Sequence, residues 1–131
     1  MAFEFEPEPD LPPVFADSIQ LQQVILNLVM NGIEAMSSVT ERPRRLLIRS
    51  QALSAGQVEV SVRDLGIGVR PETMSRLFEP FFTTRSKGIG MGLPISRSII
   101  EAHGGKLWAE SDGAQGSTFR FTLPAGDGPA A

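Results

Sequence analysis

The sequence predicts one domain that combines α-helices with β-strands. Its 131 residues, 41% of them hydrophobic, suffice for one core and are too few for two ordinary domains. Apolar side chains recur with helical spacing in residues 18–37. Residues 57–63 and 117–123 instead alternate apolar and polar side chains, as half-buried strands do. Together these patterns predict an α/β class.

The first predicted helix begins at Asp17 or Ser18, either of which can serve as its N-cap. Its apolar face is formed by Leu21, Val24, Ile25, Leu28, Val29, Gly32, Ile33 and Met36. The opposite face places Asn27, Asn31 and Glu34 in one stripe at i, i+4 and i+7. Asparagine competes for backbone hydrogen bonds and is a mediocre helix former. Two asparagines in mid-helix therefore indicate either a solvated polar face or a binding site.

The predicted strands form two hairpins. Residues 44–52 and 57–63 pair around Gly56, and residues 106–111 and 117–123 pair around Asp112 and Gly113. Asp64 directly follows the second strand of the first hairpin.

Two helices and a lid are predicted between these hairpins. A short helix over residues 71–77 begins with proline, which suits a first helical turn. Residues 78–91 lose all periodicity and mix aromatics, cations and glycines, which predicts a mobile lid. Residues 93–103 form the last helix, with Pro94 near its start and Gly104 just after its end.

The two ends of the chain are predicted to lie outside the domain, which spans residues 14–123. Residues 1–13 contain four acids and four prolines and are expected to be an extended linker, with a possible edge strand at 14–16. Residues 124–131 are expected to be a flexible tail. This organisation favours a domain of a longer protein over a complete small protein.

Composition argues against several kinds of function. The net charge of -3 argues against a nucleic-acid partner recognised through a basic surface. The absence of cysteine excludes disulfides, thiolate catalysis and Cys-ligated zinc, and it fits a reducing compartment. The longest apolar run, residues 24–30, is interrupted by Asn27, so no direct membrane contact is expected.

Two glycine clusters indicate a ligand site. Residues 64–68 read Asp-Leu-Gly-Ile-Gly, and residues 88–93 read Gly-Ile-Gly-Met-Gly-Leu at the start of a helix. Glycine clusters are tolerated where the backbone turns sharply or lies against a ligand. A helix entered through such a loop presents free N–H groups and a positive dipole end, which suits phosphate. The clusters therefore predict a nucleotide site.

Five motifs in order resemble those of sensor histidine kinases. They are Asn27-Leu-Val-Met-Asn31, Asp64-Leu-Gly-Ile-Gly68, Phe78-Glu-Pro-Phe-Phe82, Gly88-Ile-Gly-Met-Gly-Leu93 and Gly116-Ser-Thr-Phe119. The chain is similar to their catalytic ATP-binding domain, a member of the Bergerat-fold (GHKL) superfamily. The resemblance implies a two-layer α/β sandwich: a mixed, mostly antiparallel sheet of about five strands with three helices on one face.

The resemblance also implies roles for individual residues. Asp64 is expected to accept a hydrogen bond from the adenine amino group, and Asn31, with Asn27 beside it, to coordinate Mg²⁺ on the ATP phosphates. Asn27, Asn31 and Lys87 are the implied catalytic residues. The implied ATP contacts are Asn31, Asp64, Gly66, Gly68, Phe82, Thr83, Arg85, Gly88, Gly90, Met91, Gly92, Leu93 and Thr118.

The sequence departs from the family pattern at two positions. Glu34 and Thr83 stand where many relatives carry a basic residue. The charge that neutralises phosphate is therefore expected to come from Arg85 or Lys87 in the lid. His103 precedes Gly104 at a helix end, so it is interpreted as a helix cap and not as the phosphoacceptor.

The implied activity is transfer of the γ-phosphoryl group of ATP to a histidine outside this chain, which needs positioning and charge neutralisation more than covalent chemistry. The partners would be the dimerisation domain of the parent kinase and, indirectly, a response-regulator receiver domain, in the cytoplasm. Three alternatives remain: a clamp-type ATPase, an anti-sigma serine kinase and a non-catalytic nucleotide-binding regulator. The clamp ATPases place a glutamate base where this chain has Asn27.

Overall fold

A computed structural model describes residues 2–37, 39–54, 56–69, 71–79, 92–111 and 116–126. Its elements are β1 (Ala2–Pro7), α1 (Ser18–Ala35), β2 (Arg45–Leu53), β3 (Gln57–Asp64), α2 (Pro71–Met74), α3 (Gly92–Ala102), β4 (Lys106–Ser111) and β5 (Ser117–Pro124). The five strands form one sheet in the order β1-β2-β3-β5-β4. β1 runs parallel to β2, and the other neighbours are antiparallel. The predicted mixed, mostly antiparallel sheet is confirmed.

The core lies between the sheet and the two longer helices. Asp17 is the N-cap that precedes α1, and its side chain accepts a hydrogen bond from the Gln20 backbone N–H at 2.9 Å. Val24 and Leu28 of α1 pack with Ile100 of α3 and Phe121 of β5 in one buried cluster. Alternate side chains of the strands join this cluster, so both helices cover the same face of the sheet.

The end of α3 follows the predicted glycine stop. Gly104 has a φ of 82°, in the left-handed region that favours glycine. Its N–H donates to the Glu101 carbonyl, and the Gly105 N–H donates to the Ile100 carbonyl, both at 3.0 Å. These two bonds form a Schellman motif, which satisfies carbonyls left open at the helix end.

The prediction of a linker over residues 1–13 is wrong for its first half. Ala2–Pro7 is the edge strand β1, in register with β2 from Ala2↔Arg45 to Pro7↔Ser50. The alternation of phenylalanine and glutamate in this segment is a strand pattern that its acids and prolines obscured. The edge strand expected at residues 14–16 is reduced to one bridge between Val14 and Ala125.

The predicted tail also begins too early. Pro124 is the last residue of β5, the Ala125 N–H donates to the Gly56 carbonyl at 2.9 Å, and the Gly126 N–H donates to the Pro13 carbonyl at 2.8 Å. Because their backbone groups are paired, these three residues belong to the folded domain.

Parts of the other predictions lie outside the described residues, namely residues 80–91 of the predicted lid, the turn at 112–115 and the tail from 127 onward. The short helix α2 begins at proline as predicted and is four residues long. Among the described residues, no helix is long and apolar enough to span a membrane.

Candidate functional site

Asp64 is the centre of the candidate site. It is the last residue of β3, and only 2% of its surface is exposed. One carboxylate oxygen accepts the Gly66 backbone N–H at 2.8 Å, and the other accepts the Ser117 hydroxyl at 2.9 Å. Burial raises the pKa of the Asp64 carboxyl above its ordinary value, and the hydrogen bonds from Gly66 and Ser117 oppose that rise. The domain therefore holds a buried carboxyl group with fixed geometry.

Gly32 lets helix α1 approach this carboxylate closely. A Cβ atom added at Gly32 would lie 2.5 Å from Leu46 Cδ1 and 3.4 Å from Asp64 Cβ. No larger residue fits unless the helix or the buried Leu46 moves. From sequence alone, Gly32 was only one of several residues on the apolar helix face.

The glycines after Asp64 shape the loop that follows it. A Cβ atom at Gly66 would lie 2.6 Å from the Ala35 carbonyl oxygen, and the Ile67 N–H donates to that same oxygen at 3.3 Å. Gly66 therefore allows the loop to contact the end of α1, a role that the sequence did not suggest. Gly68 has a φ of 76°, a conformation that favours glycine. The contact of both glycines with ATP stays a prediction.

The asparagine stripe of α1 faces the start of α3. The Asn27 amide donates to Ser96 Oγ at 3.0 Å and to the Gly92 carbonyl at 3.4 Å, so it joins the two helices. Asn31 is partly buried, and its side chain has no hydrogen-bond partner within the described part of the chain. The structure thus brings together two predicted site residues, Asn27 and Gly92. It leaves the Asn31 amide available for a ligand.

The prediction of Thr118 as an ATP contact does not fit the strand geometry. Successive side chains of β5 point to opposite faces of the sheet. Ser117 shares the helix-covered face with Asp64, whereas Thr118 is on the other face, in register with Arg63 and Glu110. Ser117 is therefore the residue of this motif that reaches the site. The alternation leading to Phe119 could have identified it from the sequence.

The remaining predicted contacts fall into two groups. Leu93 is partly buried and packs against the hydrophobic core, which assigns its side chain to packing. The others lie outside the described residues: Phe82, Thr83, Arg85, Lys87, Gly88, Gly90 and Met91.

His103 lies where the end of α3 meets the start of α1. Asp64 packs near the opposite end of α1, beside Gly32. The His103 Nδ1 lies 2.7 Å from the Ile99 carbonyl oxygen, and its Nε2 accepts the Asp17 backbone N–H at 3.1 Å. The ring therefore ties the end of α3 to the start of α1. The interpretation of His103 as a cap is confirmed.

A family model described as "Histidine kinase-, DNA gyrase B-, and HSP90-like ATPase" matches residues 16–127. The chain belongs to this family. It is 47% identical over 127 residues to the sensor protein FixL of Bradyrhizobium diazoefficiens, covering 97% of this chain and 24% of FixL. It is also 47% identical to the sensor protein TdiS of Thauera aromatica, covering 88% of this chain and 21% of TdiS. The chain thus spans about a quarter of the length of these relatives.

Solved histidine kinase structures share the fold of this family member. Full-length ShkA in complex with AMPPNP superposes with a TM-score of 0.83 at 29% identity, covering 98% of this chain and 26% of ShkA. The nucleotide-free catalytic domain of the histidine kinase ThkA gives 0.80 at 38% identity, covering 95% of this chain and 78% of that domain. ThkA has also been solved in complex with the response regulator protein TrrA.

Proposed function

We propose that this domain binds Mg·ATP and donates the γ-phosphoryl group to a histidine on a separate dimerisation domain of its parent protein. The observation that carries the proposal is the buried Asp64, whose two oxygens are fixed by Gly66 and Ser117. A carboxylate has about four acceptor positions, and the Gly66 N–H, the Ser117 hydroxyl and the Ser117 backbone N–H use three of them, so one stays for another donor. The exocyclic amino group of adenine is such a donor.

The phosphates would lie between α1 and the start of α3. The positive dipole end of α3, at Gly92, lies beside Asn27 and favours anions. The Asn31 amide oxygen, which accepts no hydrogen bond from the described residues, suits Mg²⁺, which binds through few protein oxygens together with phosphate and water. Within the described ranges, no group of three or more His, Asp or Glu residues could hold a metal instead. When bound, Mg²⁺ would neutralise phosphate charge, supported by Arg85 or Lys87.

Histidine phosphorylation fits better than hydrolysis by a clamp-type ATPase. Hydrolysis needs a base that takes a proton from water, and the amide of Asn27, at the position of that base, cannot do so. Its nitrogen is also engaged with Ser96 and Gly92, which makes Asn27 a link between helices.

The partners follow from the proposed reaction. The complex of ThkA with TrrA supports a response regulator as the indirect recipient of the phosphoryl group. The AMPPNP complex of ShkA supports an adenine nucleotide as the ligand. A domain that uses ATP in this way would work in the cytoplasm.

The deciding experiment mixes the domain with the dimerisation hairpin of its parent and γ-labelled ATP. We expect an acid-labile, base-stable label on the hairpin and little hydrolysis or self-labelling by the domain alone. A hairpin whose phosphoacceptor histidine is replaced by glutamine is the control and should stay unlabelled.

Other results would each support a different alternative. Rapid ATP turnover by the domain alone would favour a clamp ATPase. Label on a serine would favour an anti-sigma kinase. Binding without transfer would leave a non-catalytic regulator.

A further inference from the structure

We propose that Arg42 is a positioning residue that orients the peptide contacting Asp64 and thereby sets the affinity for adenine. This inference rests on the proposed function. Arg42 lies in the loop between α1 and β2, with its side chain 25% exposed. Its Nε donates to the Leu65 carbonyl at 3.0 Å, and its Nη2 donates to the Gly66 carbonyl.

The Leu65 carbonyl and the Gly66 N–H belong to the same peptide unit. A trans peptide is planar, and these two groups point in opposite directions. Arg42 holds the carbonyl side of the unit, while the N–H side donates to Asp64 at 2.8 Å. The guanidinium is permanently charged, so it polarises the peptide and strengthens the bond to the carboxylate. Arg42 therefore acts on Asp64 through one rigid peptide.

The next peptide unit is held in the same way. Its Gly66 carbonyl accepts from Arg42, and its Ile67 N–H donates to the Ala35 carbonyl at 3.3 Å. Two consecutive units are thus fixed between the Arg42 guanidinium on one side and Asp64 or Ala35 on the other. Without Arg42, water can satisfy the carbonyls, but it cannot impose one orientation on the loop.

Arg44 provides a matched control. Its Nε donates to the Val39 carbonyl at 2.9 Å and its Nη2 to the Ser37 carbonyl at 3.1 Å, both within the loop between α1 and β2. It thus stabilises the same loop through backbone carbonyls, and neither of these bonds reaches the peptides that follow Asp64.

The test compares Arg42→Met, Arg42→Lys and Arg44→Met by calorimetric titration with ADP, ATP and GTP, together with thermal unfolding. We expect Arg42→Met to weaken ADP and ATP at least about tenfold, or ~1.4 kcal/mol, and GTP less. Arg42→Lys keeps the charge but has a single donor nitrogen in place of the guanidinium fork, so its effect should be intermediate. Arg44→Met should lower the melting temperature while changing ADP affinity less than about twofold, well under 1.4 kcal/mol.

Amide exchange adds a readout that loss of stability alone would not move. We expect faster exchange at Gly66 and Ile67 in both Arg42 variants and not in Arg44→Met. If Arg42→Met does not fold, Arg42→Lys decides the question. Wild-type ADP affinity in the Arg42 variants, or an equal loss in Arg44→Met, would overturn the inference. Failure of the wild-type domain to bind any adenine nucleotide would instead refute the proposed function.

Discussion

In the proposed function, Asp64 would favour ligand binding at the expense of folding. A carboxylate buried to 2% exposure loses hydration, and the bonds from Gly66 and Ser117 restore part of that loss. An apolar or amide side chain would avoid most of the cost. An acid at this position is therefore what the proposed hydrogen bond to adenine would require.

The substitution Asp64→Asn separates the effect of Asp64 on ligand binding from its effect on folding. We expect ATP and ADP to bind more weakly by roughly 1.5–3 kcal/mol, the value of a charge-assisted hydrogen bond. At pH 7 the melting temperature without nucleotide should be unchanged or higher, because no buried charge remains. Calorimetric titration and thermal unfolding measure both quantities. Equal nucleotide affinities would remove Asp64 from the site.

The difference in stability between the wild type and Asp64→Asn should depend on pH. Burial raises the pKa of Asp64 in the folded state, so the native protein binds more protons than the unfolded chain between the ordinary and the raised value. The contribution of Asp64 to stability therefore falls as pH rises through this window and is constant above it. The stability of Asp64→Asn relative to wild type should increase over that window in urea unfolding. A constant difference would contradict the pKa shift.

The two asparagines of α1 should respond differently to alanine. Asn27→Ala loses the bond to Ser96 and should lower the free energy of unfolding by about 1 kcal/mol. Asn31→Ala removes no described hydrogen bond, so it should keep the fold and lose the magnesium-dependent part of ATP binding. Each variant controls for the other in urea unfolding and in titrations with and without Mg²⁺. If Asn31→Ala melts far earlier, the residue is structural.

At the scale of the elements, α1 organises the site. One helix supplies Asn27 against α3, Gly32 against Asp64 and the Ala35 carbonyl to the loop that follows β3. A shift of α1 therefore changes all three contacts together. The position of this helix on the sheet determines the shape of the site.

Gly32→Ala tests this role. Alanine gains up to about 1 kcal/mol of helix propensity, but its Cβ would lie 2.5 Å from the fully buried Leu46, and overpacking typically costs ~1–3 kcal/mol. We expect lower stability and weaker ADP binding, measured by unfolding and titration. The double variant with Leu46→Val, which lacks Cδ1, should recover part of both. A Gly32→Ala variant as stable as wild type that binds ADP normally would show that the close approach is dispensable.

At the scale of the whole molecule, periodicity predicted most of the fold. α1, β3 and β4 begin at the predicted residues because their patterns are local. β1 was missed because acids and prolines obscure the strand pattern of its short segment, and because its partner strand β2 is distant in the chain. Local β-propensity does not predict pairing between distant strands.

Only the part of the candidate site that is contiguous in sequence could be predicted, because local patterns do not show contacts between distant segments. Asp64 was predicted as a site residue because its glycine motif is contiguous in the sequence. Ser117 and Gly32 approach Asp64, and Arg42 binds the peptides that follow it, all from distant segments of the chain. No local pattern reveals such a hydrogen bond or close approach. Strand alternation could have distinguished Ser117 from Thr118, whereas the contacts of Arg42 required coordinates.

The side-chain hydrogen bonds of the candidate site join residues that are far apart in the chain. This separation affects when a newly synthesised chain could bind nucleotide. Asp64 and Ser117 are 53 positions apart, and Asn27 and Ser96 are 69 apart. Such loops close late, after local hairpins and helices have formed. On the ribosome, the chain cannot complete the proposed adenine site until Ser117 has emerged. Nucleotide bound there would stabilise only molecules that have finished folding, because ligands that bind the native state shift the folding equilibrium by mass action.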